Sequence, residues 1–169
     1  MFFKKKCPGC GTKNPPNAKT CASCGASFES RQAESREASK DYDEAIRCNP
    51  QSADAYFKRG FFYQQLGQGG RAIEDFDKAI RIDSQFARAY SNRGYAHLNN
   101  GHYSQAITDC TRAIKLDSGD VVSRLNRGVA YKLQGNEAEA RADFEKAIAL
   151  SDDPRVIDMA KQQLRALSK

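Results

Sequence analysis

The chain has no tryptophan, only two histidines, and no acidic residue before Glu29. No apolar run approaches the ~18 residues that cross a bilayer. The opening MFFKKK lacks the apolar stretch of a secretory signal. No membrane partner is therefore expected, and the chain is placed in a reducing cytoplasm, where paired CxxC motifs bind metal rather than oxidise to disulfides. Also missing are a phosphate-cradling glycine loop and any nucleophile–base–acid set, so no enzyme activity is expected.

What is present is uneven. Residues 1–28 carry five lysines (Lys4, Lys5, Lys6, Lys13, Lys19), while the remainder is nearly balanced at 22 basic and 21 acidic residues. The net charge of +6 thus sits largely at one end.

The rest of the chain repeats itself. Segments 53–86, 87–120 and 121–154 align without a gap at a period of 34. Arg59, Gly60, Gly67, Ala72, Asp75, Ala79 and Ile80 recur unchanged one and two periods later. In each first half, Tyr56, Gly60 and Tyr63 or their equivalents share one helical face; Gly67 then stops the helix. In each second half, Ala72, Phe76, Ala79 and Ile80 share another face. A helix pair with such faces cannot bury them alone, so neighbours must stack into an all-α solenoid. Residues 39–50 match the second half of a further repeat, and Asp153-Pro154 opens a closing helix with Val156, Ala160, Leu164 and Leu167 on one stripe.

At Tyr56, Gly60, Tyr63, Ala72, Phe76 and Ala79, and at their equivalents, the chain resembles the tetratricopeptide repeat (TPR) family. It departs from that family at Arg59, Arg93 and Arg127, where leucine is usual, and at Ser84 and Ser118, which replace a closing proline. The expected organisation is a cysteine-rich, metal-binding module over 1–28, a linker and half-repeat helix over 29–52, three TPR-like repeats over 53–154 (53–86, 87–120, 121–154), and a capping helix over 155–169. The recurrent arginines and aspartates read as structural pairs between helices, not as acid and base.

The period also sorts the cysteines. Cys48 shares a slot with Ile82, Leu116 and Leu150, and Cys110 with Phe76 and Phe144; both are expected in the core. His97 takes the slot of Tyr63 and Tyr131, where packing is expected. The other four, Cys7, Cys10, Cys21 and Cys24, read C-x₂-C-x₁₀-C-x₂-C. Four thiolates directed at one point suit a single structural Zn²⁺ with no open coordination position; an iron–sulfur centre is the alternative. Residues 7–28 resemble the short zinc ribbons of prokaryotic proteins. Here Thr20 stands where that family often has an aromatic, which leaves Phe2, Phe3 and Phe28 to shield the metal.

The TPR resemblance implies that the first helix of each repeat lines an inner face. Helical spacing then places Asp54, Phe57, Phe61 and Gln64 there, followed by Arg88, Ser91, Tyr95 and Leu98, and by Val122, Leu125, Val129 and Lys132. The partner-binding set is Phe57, Phe61, Arg88, Tyr95, Leu98, Leu125, Val129 and Lys132. An adaptor is expected, holding a protein or peptide partner in this groove, with the ribbon as cap or second contact. A nucleic-acid-associated protein, using the lysine-rich ribbon on phosphates, is the alternative, and a second copy of the chain is a third occupant to weigh. Five lysines are few for affinity that rests on counterion release, which favours the adaptor. The carboxylate clamp of some TPR proteins is not carried over: Phe57 and Phe61 stand at its slots, and Asn92 alone fits.

Overall fold

A computed structural model describes residues 5–7, 10–15, 18–25 and 39–167. The expected metal shield of Phe2, Phe3 and Phe28 lies outside them. The chain forms two compact units, Met1–Ala45 and Ile46–Lys169.

In the first unit, β1 (Lys5–Lys6) pairs antiparallel with β2 (Lys13–Asn14), placing Lys6 opposite Lys13. Each cysteine pair turns back on itself. The Gly11 N–H donates to Cys7 O at 2.7 Å and the Gly25 N–H to Cys21 O at 2.9 Å. Both glycines hold positive φ, 74° and 69°, a conformation that side-chain-bearing residues rarely adopt.

Residues 39–48 are helical (α1), and the repeats follow as α2 (Ala53–Gln65), α3 (Gly69–Ile82), α4 (Ala87–Asn99), α5 (Tyr103–Leu116), α6 (Val121–Leu133) and α7 (Glu137–Leu150). The closing helix is α8 (Pro154–Leu167). The result is an all-α TPR-like solenoid of three helix hairpins, with a half repeat before them and a capping helix after. Ser52 caps α2 by accepting from Ala55 N, and Asp120 caps α6 by accepting from Ser123 N. Asp153 does the same before Pro154, accepting from Arg155 N at 2.9 Å.

Every hairpin turns the same way. Gly67, Gly101 and Gly135 carry positive φ, and the next residue donates back to Tyr63, His97 or Tyr131, each at 2.9 Å. Within a hairpin the helices meet at glycine. A Cβ on Gly60 would lie 2.9 Å from the Phe76 ring, one on Gly94 2.7 Å from Cys110 Sγ, and one on Gly128 2.7 Å from Phe144. Buried alanines beside them (Ala72, Ala79, Ala106, Ala113, Ala140, Ala147) keep the backbones close. The α8 stripe of Val156, Ala160, Leu164 and Leu167 packs on the cluster of Leu125, Phe144 and Ala147 and closes the stack.

The arginines form the expected pairs. Arg59 grips Asp75, Arg93 grips Asp109 and Arg127 grips Asp143, each through Nε and Nη2. Arg93 also reaches back to Asp77, and Arg127 to Thr111 Oγ1, in the preceding hairpin. Burial pulls the Arg93 pKa down, but the hydrogen bonds and charge of Asp109, then Asp77, outweigh it and hold the group firmly protonated.

One expectation is corrected. Cys110 is fully buried, but Cys48 is exposed. Its slot lies in the last turn of the second helix, where Ile82 and Leu116 are half-buried and Leu150 is exposed. The period identifies the slot correctly; the slot is rim rather than core.

Candidate functional site

The two knuckles bring Cys7, Cys10, Cys21 and Cys24 together with all four sulfurs within 4.8 Å of one another. Cys7 Sγ lies 3.7 Å from Cys24 Sγ, and Cys10 Sγ 3.5 Å from Cys21 Sγ. Disulfides would need about 2.05 Å. A tetrahedron with metal–sulfur bonds of about 2.3 Å has edges of roughly 3.8 Å. The donor set therefore fits one four-coordinate, thiolate-binding ion. Backbone hydrogen bonds from Cys24 and Ser23 pull the Cys21 thiol down to about 6, and Thr12 lowers Cys10. Both shifts favour the ligating thiolate.

Asn14 supports the cluster without being a ligand. It is buried between the knuckles, donating to Thr12 O at 2.8 Å and towards Cys21 Sγ at 3.6 Å, and accepting from Ala22 N at 2.8 Å. Nothing in residue type or spacing marks it out, because its role depends on two turns folding over it.

In the second unit, a groove of about 540 Å³ is lined by Phe61, Gln64 and Gln65 of α2, Ser91, Asn92 and Tyr95 of α4, Val122, Leu125 and Asn126 of α6, and Val156 and Met159 of α8. Of the eight expected partner residues, Phe61, Tyr95 and Leu125 line it. The other five are placed elsewhere. Phe57 is buried, with its ring 5.8 Å from Phe76 and 5.0 Å from Phe86. Arg88 lies over the Phe57 and Phe86 rings at 5.1 and 5.5 Å. Val129 packs into the cluster around Phe144, Leu98 is half-buried, and Lys132 donates to Gln163 Oε1 at 3.0 Å. Asn92 and Asn126 stand one period apart; that recurrence of an amide on the first helices was a signal available in the sequence.

His97 is half-buried, with Nε2 3.9 Å from Asp109 Oδ2 and a pKa lowered by burial, and His102 is exposed at the turn. Both belong to a hairpin edge rather than to the groove. No helix among the described residues is long and apolar enough to cross a membrane.

Comparison with known proteins agrees with both units. Residues 6–28 match a zinc-ribbon domain. Residues 93–165 match a tetratricopeptide-repeat model, and 35–67 and 65–101 match a TPR-repeat model. No curated protein matches the chain. Among solved structures, the second TPR domain of human RPAP3, in complex with the HSP70 peptide SGPTIEEVD, is 31% identical over 69% of this chain and 95% of that one, with a TM-score of 0.64. The Arabidopsis OM64 TPR domain is 29% identical over 68% and 94%, again at 0.64. MamA shares the fold at 23% identity and a TM-score of 0.70, over 82% and 85%. With its three 34-residue hairpins, its glycine-to-ring contacts and a relative above 30% identity, the chain belongs to the tetratricopeptide-repeat family and carries an N-terminal zinc-ribbon domain.

Proposed function

We propose that the protein is an interaction adaptor that holds a peptide segment of a partner protein in the groove between α2, α4, α6 and α8. The observation that carries this reading is the exposure of Phe61 and Tyr95, at 42% and 40%, on a groove floored by Leu125. Large exposed side chains gathered around a concavity are what a partner covers. The peptide complexes of RPAP3 support the same use of this fold. In this reading the ribbon holds one structural zinc and presents a second contact surface. The ion's chemistry there is to fix the two knuckles where so few residues cannot build a core.

The test is affinity capture with mass spectrometry, comparing the natural chain with a Phe61→Ala, Tyr95→Ala double variant. The variant keeps its helical circular-dichroism spectrum and loses the proteins captured by the natural chain. Equal capture by both chains would reject the groove.

Lys6 and Lys13, directly opposite across the strand pair, support the nucleic-acid alternative. Paired like charges there favour a bound anion. A tetrathiolate zinc, however, carries −2 itself and offsets them first, which ranks this reading second. A salt-dependent RNA or DNA mobility shift that disappears with Lys6→Ala, Lys13→Ala would reverse the order.

A further inference from the structure

Among the described residues, no charged side chain lines the groove. The two basic residues expected nearby are engaged elsewhere, Arg88 over the Phe57 and Phe86 rings and Lys132 on Gln163. A ligand carboxylate there would lose its water without gaining a cation, at a cost that a buried charge cannot recover. The groove therefore suits an uncharged occupant.

Its polar groups are amides, and two of them are incompletely used. Asn92 Nδ2 donates to Arg88 O at 2.9 Å, which turns Asn92 Oδ1 towards Gln64; Gln64 Nε2 donates to it at 3.3 Å. That chain of bonds fixes the orientation of the Gln64 amide. Its Oε1 is left shielded from water with no partner among the described residues, and Asn126 Nδ2 is in the same condition. An orphan acceptor and an orphan donor thus border one groove. The last torsion of Gln and Asn side chains is broad, so Asn126 turns Nδ2 towards an arriving ligand at little cost, while Gln64 turns Oε1 by giving up its long, 3.3 Å bond to Asn92. A helix cannot use the pair, because its N–H and C=O groups already bond one another. An extended strand presents both.

Resting on the groove reading above, we infer that the occupant is an internal, extended, uncharged apolar segment, recognised through its backbone by Gln64 Oε1 and Asn126 Nδ2. Phe61, Tyr95, Val122 and Met159 take its side chains. The groove does not select a chain terminus.

The test uses an array of N-acetylated, C-amidated nonapeptides built from Leu, Ile, Val, Phe, Tyr, Ser and Thr. The tightest binder is then resynthesised with a free C-terminal carboxylate and with single backbone N-methyl groups, and the acidic peptide SRMEEVD is measured beside them. The expected result is that the free carboxylate adds no affinity and that N-methylation at one central position weakens binding about tenfold. Gln64→Ala should abolish that N-methyl sensitivity, while Tyr95→Ala weakens every peptide. If SRMEEVD or the free-carboxylate form binds better, or N-methylation has no effect, while Tyr95→Ala still weakens binding, the groove stands and this inference falls. If no peptide binds, or binding ignores Tyr95→Ala, both fall.

Discussion

In the ribbon, two turns aim four sulfurs at one spot, and a single buried side chain, Asn14, ties the turns together. In the repeats, the same duties are shared among three stations 34 residues apart, each with its own glycine contact and its own arginine–aspartate pair. The ribbon's stability is therefore concentrated, and the solenoid's is distributed. Concentration makes a fold conditional on one ion; distribution makes it tolerant of a single loss.

The largest effect expected is loss of the metal. Structural zinc contributes an apparent ~10–16 kcal/mol to such modules. A Cys7→Ser, Cys21→Ser variant should lose its zinc by elemental analysis and its dispersed ribbon amide signals by NMR, with the helical spectrum retained. Zinc retained in that variant, or helices lost along with it, would break the comparison.

The strongest challenge to the distributed half is Arg93→Ala. Asp109, with a side chain only 5% exposed, would lose the guanidinium that pairs its carboxylate. Stranding a buried charge costs about 3–5 kcal/mol. Chemical denaturation should show a loss of that size in one cooperative transition; a loss below ~1 kcal/mol would show the pair to be no more than a surface bridge.

Within the ribbon, Asn14→Ala removes the tie and leaves all four ligands. Supporting hydrogen bonds around a metal are worth ~10–100-fold in affinity. Competition with a chromophoric chelator measures it, and unchanged affinity would show the knuckles to be self-sufficient.

Two glycines sharpen the other side. Gly94→Ala drives a Cβ to 2.7 Å from Cys110 Sγ and 3.3 Å from Cys110 N, so a loss of about 1–3 kcal/mol is expected. Gly70→Ala, in α3 with nothing within 4 Å, should instead be neutral or raise stability by up to about 1 kcal/mol. Thermal melts of the two variants should move in opposite directions or differ clearly in size.

The smallest effect is chemical. Burial pushes the Cys110 thiol up to about 12, whereas Cys48 is exposed. In zinc-loaded protein at neutral pH, maleimide should label Cys48 and leave Cys110 untouched until the chain unfolds. Since the native Cys110 holds its proton more tightly than the unfolded chain does, its contribution to stability is intact below pH 9 and declines as pH rises towards 12. Mass spectrometry of labelled peptides reads the first result directly.

These contrasts also explain what could be read from sequence. The hairpins, their glycine contacts and the arginine–aspartate pairs follow from a period that repeats in one chain, because equivalent residues must meet equivalent surroundings. The four-cysteine cluster follows from local spacing. Helical spacing puts Phe57 on the groove, yet it is buried against Phe86, because helical phase gives a direction and not the ring that arrives from the next loop. Val156 and Met159 reach the groove from α8, which stands outside the period, so no recurrence could announce them. Asn14 is legible only after folding. Cys48 shows the remaining gap: a repeat slot predicts a position, while its burial depends on how far along the helix the neighbours extend.

The arginine pairs carry one more consequence. Arg93 and Arg127 each bond the residue sixteen places ahead and the one sixteen places behind, Asp109 and Asp77 for the first, Asp143 and Thr111 for the second. An insertion or deletion between an arginine and one of these partners keeps an equivalent residue in place only if it spans a whole multiple of 34 residues; any other length there throws that partner out of reach. Excising residues 87–120 would bring Asp77 to the place now held by Thr111, exchanging a hydroxyl for a carboxylate beneath Arg127. The shortened array would be fastened more tightly at its seam than the natural one, so the fold is built to gain or lose whole units without a new joint having to be invented.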